Sequence, residues 1–115
     1  MTTIYLDYNA TTPVAPEVRR AMLPFLDDLF GNPSSGYDAG LVARAAVEHA
    51  RGQVARLIGA RPDEVIFTSG GTESDNLAVM GHLPADRLRG AHIVASAIEH
   101  PAVLQPLAEL ERRGT

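Results

Sequence analysis

The chain has 115 residues with a formal net charge of -4, enough for one domain with a modest core. Cysteine is absent and all ten basic residues are arginine. Within this chain that excludes a disulfide, a thiolate nucleophile, a thiolate-held metal and a Schiff base on a lysine side chain, and the mildly acidic balance argues against non-specific nucleic-acid binding.

The first basic residue is Arg19, and no apolar stretch follows Met1, so no secretory leader is expected. No apolar run approaches the roughly 18 residues of a membrane span, and no lipidation signal is present. The expectation is a cytoplasmic protein without a membrane partner.

In chain order, Ile4, Tyr5 and Leu6 suit a short strand, and Asp7 to Pro16 reads as a loop rich in turn residues. Pro16 suits the first turn of a helix running to about Leu29, with Val18, Met22, Phe25 and Leu29 on one face. Pro24 is expected to kink or divide it. Phe30 to Gly40 is a second irregular stretch. A helix from about Leu41 to Ile58 follows, with Val42, Ala46, Ala50, Val54, Leu57 and Ile58 as its apolar face. Gly59 suits the left-handed residue that closes such a helix.

Val65, Ile66 and Phe67 form a wholly apolar run, as in a strand buried on both faces of a parallel sheet. Ser69 to Thr72 turn the chain into a helix of about 73–82, and 84–90 reads as loop. Ile93, Val94 and Ala95 suit a second buried strand. Pro101 opens a last helix with Val103, Leu107 and Leu110 on one face, closing at Gly114. This strand–helix–strand–helix order favours parallel pairing with a right-handed crossover. Two such strands cannot cover a sheet's faces and edges alone, so the chain reads as the opening portion of a larger α/β domain.

The strongest local signal runs from Glu64 to Asn76, in which an apolar run enters Gly70, Gly71 and Thr72 and then a helix. Glycines let backbone approach a ligand closely, and free N–H groups at a helix start favour an anion. A tight turn with Thr72 as helix cap and no ligand explains the same residues as well as a phosphate cradle does. A nucleotide P-loop is excluded, because its Gly-Lys-Ser/Thr element is missing. His100 reads from local sequence as a surface residue before a proline-started helix. His49 lies beside an apolar stripe and is expected to be partly buried. His82 lies near a helix end and His92 at a strand start. No two histidines share a ligand-like spacing, so no metal site is expected. The acidic residues 27, 28, 73 and 75 read as helix-terminal or solvated.

Four segments in register carry a resemblance: Tyr5-Leu-Asp-Tyr-Asn-Ala-Thr-Thr-Pro13, Phe30-Gly-Asn-Pro-Ser-Ser35, Phe67-Thr-Ser-Gly-Gly-Thr-Glu-Ser-Asp-Asn76 and Glu99-His100. Together, over almost the whole chain, they resemble the class V aminotransferase family of pyridoxal-phosphate enzymes, and most closely its cysteine desulfurases. The resemblance implies an α/β fold, the N-terminal portion of the large domain of a fold type I pyridoxal-phosphate-dependent transferase. That means an incomplete, mostly parallel sheet with flanking helices, with 1–115 as a single incomplete domain.

It further implies pyridoxal 5′-phosphate as cofactor, with Gly71 and Thr72 on its phosphate and His100 stacked over its ring and moving protons. L-cysteine is the implied substrate, a homodimer the implied state of the complete enzyme, and a sulfur-acceptor protein a possible partner. Two departures stand out. Tyr37 occupies a place where the family usually has histidine, and the family's Schiff-base lysine, pyridine-pairing aspartate and persulfide-forming cysteine have no counterpart here. The chain alone is therefore expected to be catalytically incomplete. The alternatives are another class V enzyme, such as a selenocysteine lyase or aminotransferase, and a non-catalytic remnant or binding module.

Overall fold

The computed structural model describes residues 4–81 and 91–114. They belong to two compact units, one ending at Val65 and one beginning at Ile66. The expected 84–90 loop and His82 lie outside the described residues.

In the first unit, helix α1 covers Pro16–Leu26, with Pro16 at its first position and Glu17 in its first turn. Both choices suit the unbonded N–H groups there. Pro24 does not divide the helix. It lies in the last turn, so only the end of the ladder is disturbed, and the helix stops at Leu26 instead of Leu29. The Leu29 N–H then bonds the Pro24 carbonyl at 2.8 Å. Val18, Met22, Phe25 and Leu29, the expected buried face, are all exposed.

Helix α2 covers Asp38–Ile58, starting three residues before the expected Leu41. The reason is the chain in front of it. The Asn32 side chain accepts from the Ser34 N–H at 2.9 Å, and the Asn32 carbonyl from the Ser35 N–H at 3.0 Å. Arg44 donates through Nε to the Pro33 carbonyl at 2.8 Å. This folds the Gly31–Ser35 loop onto the first turns of α2. Two glycines make the approach possible. A Cβ on Gly40 would stand 2.5 Å from the Ser35 carbonyl oxygen and 2.7 Å from that of Asn32, and one on Gly31 would fall on the Ala39 carbonyl.

Gly59 closes α2 as expected, with φ 69°, and the Ala60 N–H returns to the Ala55 carbonyl at 2.9 Å. The one-turn 3₁₀ helix Pro62–Glu64 follows, where Glu64 accepts from the Arg61 N–H at 2.8 Å. Arg51 donates from α2 to the Val65 carbonyl.

The buried residues of α2 are small: Gly40, Ala43 and Ala55. Val42, Val54, Leu57 and Ile58 of the expected apolar face are exposed, Leu57 to 85%. Periodicity finds an apolar stripe but not its cover. Here the loop covers the start of α2 and the 3₁₀ turn packs near its end, and within this unit nothing described covers the larger side chains. His49, expected to be partly buried, is exposed for the same reason.

The second unit pairs helix α3, Gly71–Gly81, with helix α4, Pro101–Arg112. The buried stripe of α4 is Ala102, Pro106 and Leu110, with Leu110 only 1% exposed. The expected Val103 and Leu107 are half-buried. Leu110 is buried as expected, while toward the start of the helix the covered positions are one residue earlier, Ala102 and Pro106 in place of Val103 and Leu107. Pro106 fits there because its ring supplies apolar surface toward α3.

None of the three expected strands forms among the described residues. Ile66 and Val94 are exposed. A parallel strand obtains both its hydrogen bonds and its burial from neighbours on either side. Without such neighbours a β-prone sequence forms no strand. Among the described residues the helices of the expected architecture are therefore present and its strands are not.

Candidate functional site

The Thr68–Asn76 segment is held by its own side chains. Glu73, in the first turn of α3, reaches back to accept from both the Ser69 N–H and the Ser69 hydroxyl, each at 2.6 Å. The Thr68 and Ser74 hydroxyls share a hydrogen bond of 2.6 Å, and the Thr68 hydroxyl also lies 3.2 Å from the Gly70 carbonyl. The Ser74 N–H bonds that same carbonyl at 3.1 Å. Thr72 therefore sits inside the first turn. The helix is closed at its start by Glu73 and Gly70, so the reading of Thr72 as its cap does not hold.

Gly70 and Gly71 do not need their glycine identity for backbone conformation. Positive φ among the described residues is confined to Gly59 and Gly114. Nothing stands within 4 Å of a Cβ built on Gly70 or Gly71. The first-turn amides of Gly71, Thr72 and Glu73 have no acceptor within the helix. The glycine side of this turn is therefore open, and Thr72 adds a hydroxyl to the same first turn. A tetrahedral oxyanion suits that arrangement, so these residues fit the phosphate of pyridoxal phosphate.

His100 stands immediately before α4, and its Nδ1 accepts from the Ala102 N–H at 3.1 Å. That bond assigns the ring hydrogen of the neutral imidazole to Nε2. The imidazole is exposed, so Nε2 is accessible. Asn76 links the two helix starts. Its amide nitrogen donates to the Thr72 carbonyl at 2.8 Å and lies 3.4 Å from the Ala102 carbonyl. The structure thus brings Gly71, Thr72 and His100 to the same end of the α3–α4 pair. Sequence reasoning passed over Asn76, Ser69 and Thr68. The visible signal for Asn76 was its position four residues after Thr72, one helical turn along the same face.

The two hydrogen bonds from Ser69, side chain first and then backbone, hold the Glu73 carboxyl below the usual carboxylate range. At the far end of the pair, Glu109 is lowered chiefly by its hydrogen bond from Arg113, at 2.6 Å, with Arg112 adding to it. A carboxylate whose folded value is depressed stabilises the fold above its unfolded value of about 4.5. That contribution is lost as pH falls through the folded value. Glu73→Gln is therefore expected to flatten the acid limb of stability against pH. Urea midpoints measured between neutral pH and pH 3 check this; an acid limb identical to the parent's refutes it.

Among the described residues no group of three His, Asp or Glu side chains is placed to hold a metal ion, and no helix is long and apolar enough to cross a membrane. His92 is exposed and stands in no strand. Tyr37, at the departure from the family pattern, is exposed directly before α2.

Two adjacent helix starts, one opening on glycines and one capped by an imidazole, are the kind of end that α/β cofactor enzymes use for a phosphate group. The chain belongs to the class-V aminotransferase family, whose profile matches residues 4–115. It is 53% identical over 111 residues to the cysteine desulfurase IscS of Dictyoglomus turgidum, covering 96% of this chain and 28% of that protein. The cysteine desulfurase IscS of Neisseria gonorrhoeae is 50% identical over 114 residues, covering 98% of this chain and 28% of its own length. The solved structure of a NifS-like protein superposes with a TM-score of 0.86 at 37% identity, covering 98% of this chain and 31% of that one. This chain thus spans under a third of the length of the proteins it matches.

Proposed function

We propose that this chain is the N-terminal segment of a pyridoxal-phosphate-dependent cysteine desulfurase, an enzyme that converts L-cysteine to alanine and passes the sulfur to a protein thiol. The supporting observation is identity of about one half to cysteine desulfurases along nearly the entire chain. In this reading 1–115 is part of one large domain whose sheet is completed by chain beyond these residues. The complete enzyme is a cytoplasmic homodimer that hands sulfur to an acceptor protein, as in iron–sulfur cluster assembly.

Pyridoxal phosphate, when bound, supplies an electron sink for the amino acid's α-carbon. The residues of this chain bind and orient it. The amides of Gly71 and Thr72 and the Thr72 hydroxyl would hold the phosphate. The His100 ring would face the pyridine. With Nδ1 engaged by Ala102, Nε2 is a hydrogen-bond donor. Moving a proton through the ring requires Nδ1 to take one up, which breaks the cap bond to Ala102. The persulfide-forming thiol and the lysine come from outside these residues.

The test replaces the matching segment of the Dictyoglomus turgidum protein with this chain. The graft is expected to release alanine from cysteine. The 115-residue chain alone is expected to release none above free pyridoxal phosphate, because it has neither lysine nor cysteine. A folded graft that retains the cofactor but yields no alanine refutes the proposal. In an active graft, Thr72→Val is expected to weaken cofactor binding by about 1–3 kcal/mol, the range for a hydrogen bond to a charged group. Unchanged affinity in an equilibrium titration removes Thr72 from the phosphate site.

A further inference from the structure

We infer that Asn76 is a positioning residue that sets His100 relative to the Gly71–Thr72 cradle, an inference that rests on the cofactor site proposed above. Three hydrogen bonds in sequence carry it. The Asn76 amide donates to the Thr72 carbonyl at 2.8 Å, and the same nitrogen approaches the Ala102 carbonyl at 3.4 Å. Ala102, in turn, donates its N–H to His100 Nδ1 at 3.1 Å. One carboxamide therefore holds the first turn of α3, and the residue it holds in α4 is the one that orients the imidazole.

The orientation of the amide follows from its partners. Both are carbonyl oxygens, so the NH₂ group faces them. The chemistry needs this residue type. Aspartate has the same outline but offers no donor to either carbonyl, and leucine has no polar atom at all. Ala102 is 6% exposed and Asn76 is half-buried, so the bond that crosses between the helices is partly shielded from water. The Thr72 bond runs within α3, whereas the Ala102 bond crosses to α4. The crossing bond sets the distance between a residue that would hold the phosphate and one that would face the ring. A short CH2–O link joins the phosphate of pyridoxal phosphate to its ring, so an error in that span would be felt at the imidazole.

The test uses the complete protein carrying this chain, with Asn76→Asp and Asn76→Ala as parallel variants. The first keeps the shape and loses the donors; the second removes the group. Hydrogen–deuterium exchange gives a readout independent of activity. Exchange is expected to rise across residues 98–104 in both variants, and to stay unchanged within α2, which belongs to the other unit. Turnover at saturating cofactor is expected to fall roughly 10- to 100-fold, the scale of an ångström-sized misplacement. Cofactor affinity is expected to change far less.

A double-mutant cycle with His100→Ala separates positioning from general stability. If Asn76 acts through His100, its replacement adds little once His100 is gone. Equal losses in both backgrounds overturn the inference, and so does unchanged exchange at 98–104. A His100→Ala variant with parent turnover instead overturns the site reading. The tie between the helices is then decided by the exchange data alone.

Discussion

In the complete enzyme carrying this segment, His100→Ala is expected to lower turnover by about 10²–10⁴-fold, the range for a general acid–base group, with a much smaller loss of cofactor retention. His100 combines two roles in one ring. Nδ1 caps α4 through Ala102 at 3.1 Å, while the exposed ring leaves Nε2 accessible. Substitutions separate them. His100→Asn keeps an acceptor able to cap a helix and loses the imidazole. His100→Phe keeps a stacking face and loses both the proton and the cap. If stacking dominates, Phe is the better survivor; if proton movement dominates, Phe and Asn fail together while Asn keeps the parent's thermal midpoint. Single-turnover kinetics that follow the cofactor's absorbance are the measurement. Parent kinetics in His100→Ala would leave His100 with only its capping role.

The second large effect concerns the fold. Gly40→Ala is expected to destabilise the chain, although alanine ordinarily improves a helix interior by about 1 kcal/mol over glycine. Here the new methyl would stand 2.5 Å from the Ser35 carbonyl oxygen and 2.7 Å from that of Asn32. Both are backbone atoms and cannot swing aside. Overpacking of this kind costs about 1–3 kcal/mol and more where nothing yields, so the steric term wins over propensity. Gly52→Ala, on the same helix, is the control. A Cβ there meets only the end of the Arg56 side chain at 3.5 Å, and the substitution is expected to be stabilising. Urea denaturation of the two variants decides the matter. Equal midpoints would show that the Gly31–Ser35 loop does not rest on α2 in solution. The Gly-Asn-Pro-Ser-Ser segment is in this structure occupied with starting α2.

The sequence read by itself was sufficient for whatever depends on near neighbours. Proline at the starts of α1 and α4, Gly59 at the end of α2 and the glycine turn into α3 are local matters, settled within a few residues by backbone sterics and unbonded N–H groups. The family was legible for a related reason, since its motifs are short runs whose residues act together. The glycine turn pointed to Gly71 and Thr72 from local sequence, whereas His100 became a candidate only through the family resemblance.

Only the tertiary structure decided what depends on partners distant in sequence. It turned the buried face of α4 to Ala102, Pro106 and Leu110, because packing on α3 rather than hydropathy chooses which side of a broad apolar face is covered. It left most of the large apolar residues of α1 and α2 exposed and formed no strand among the described residues. Burial and ladder bonds are properties of two surfaces, and one stretch of sequence encodes only one of them. It also disclosed Asn76. A carboxamide in the middle of a helix carries no sign of its role until the carbonyl of Ala102, 26 residues further along the chain, comes within 3.4 Å of it.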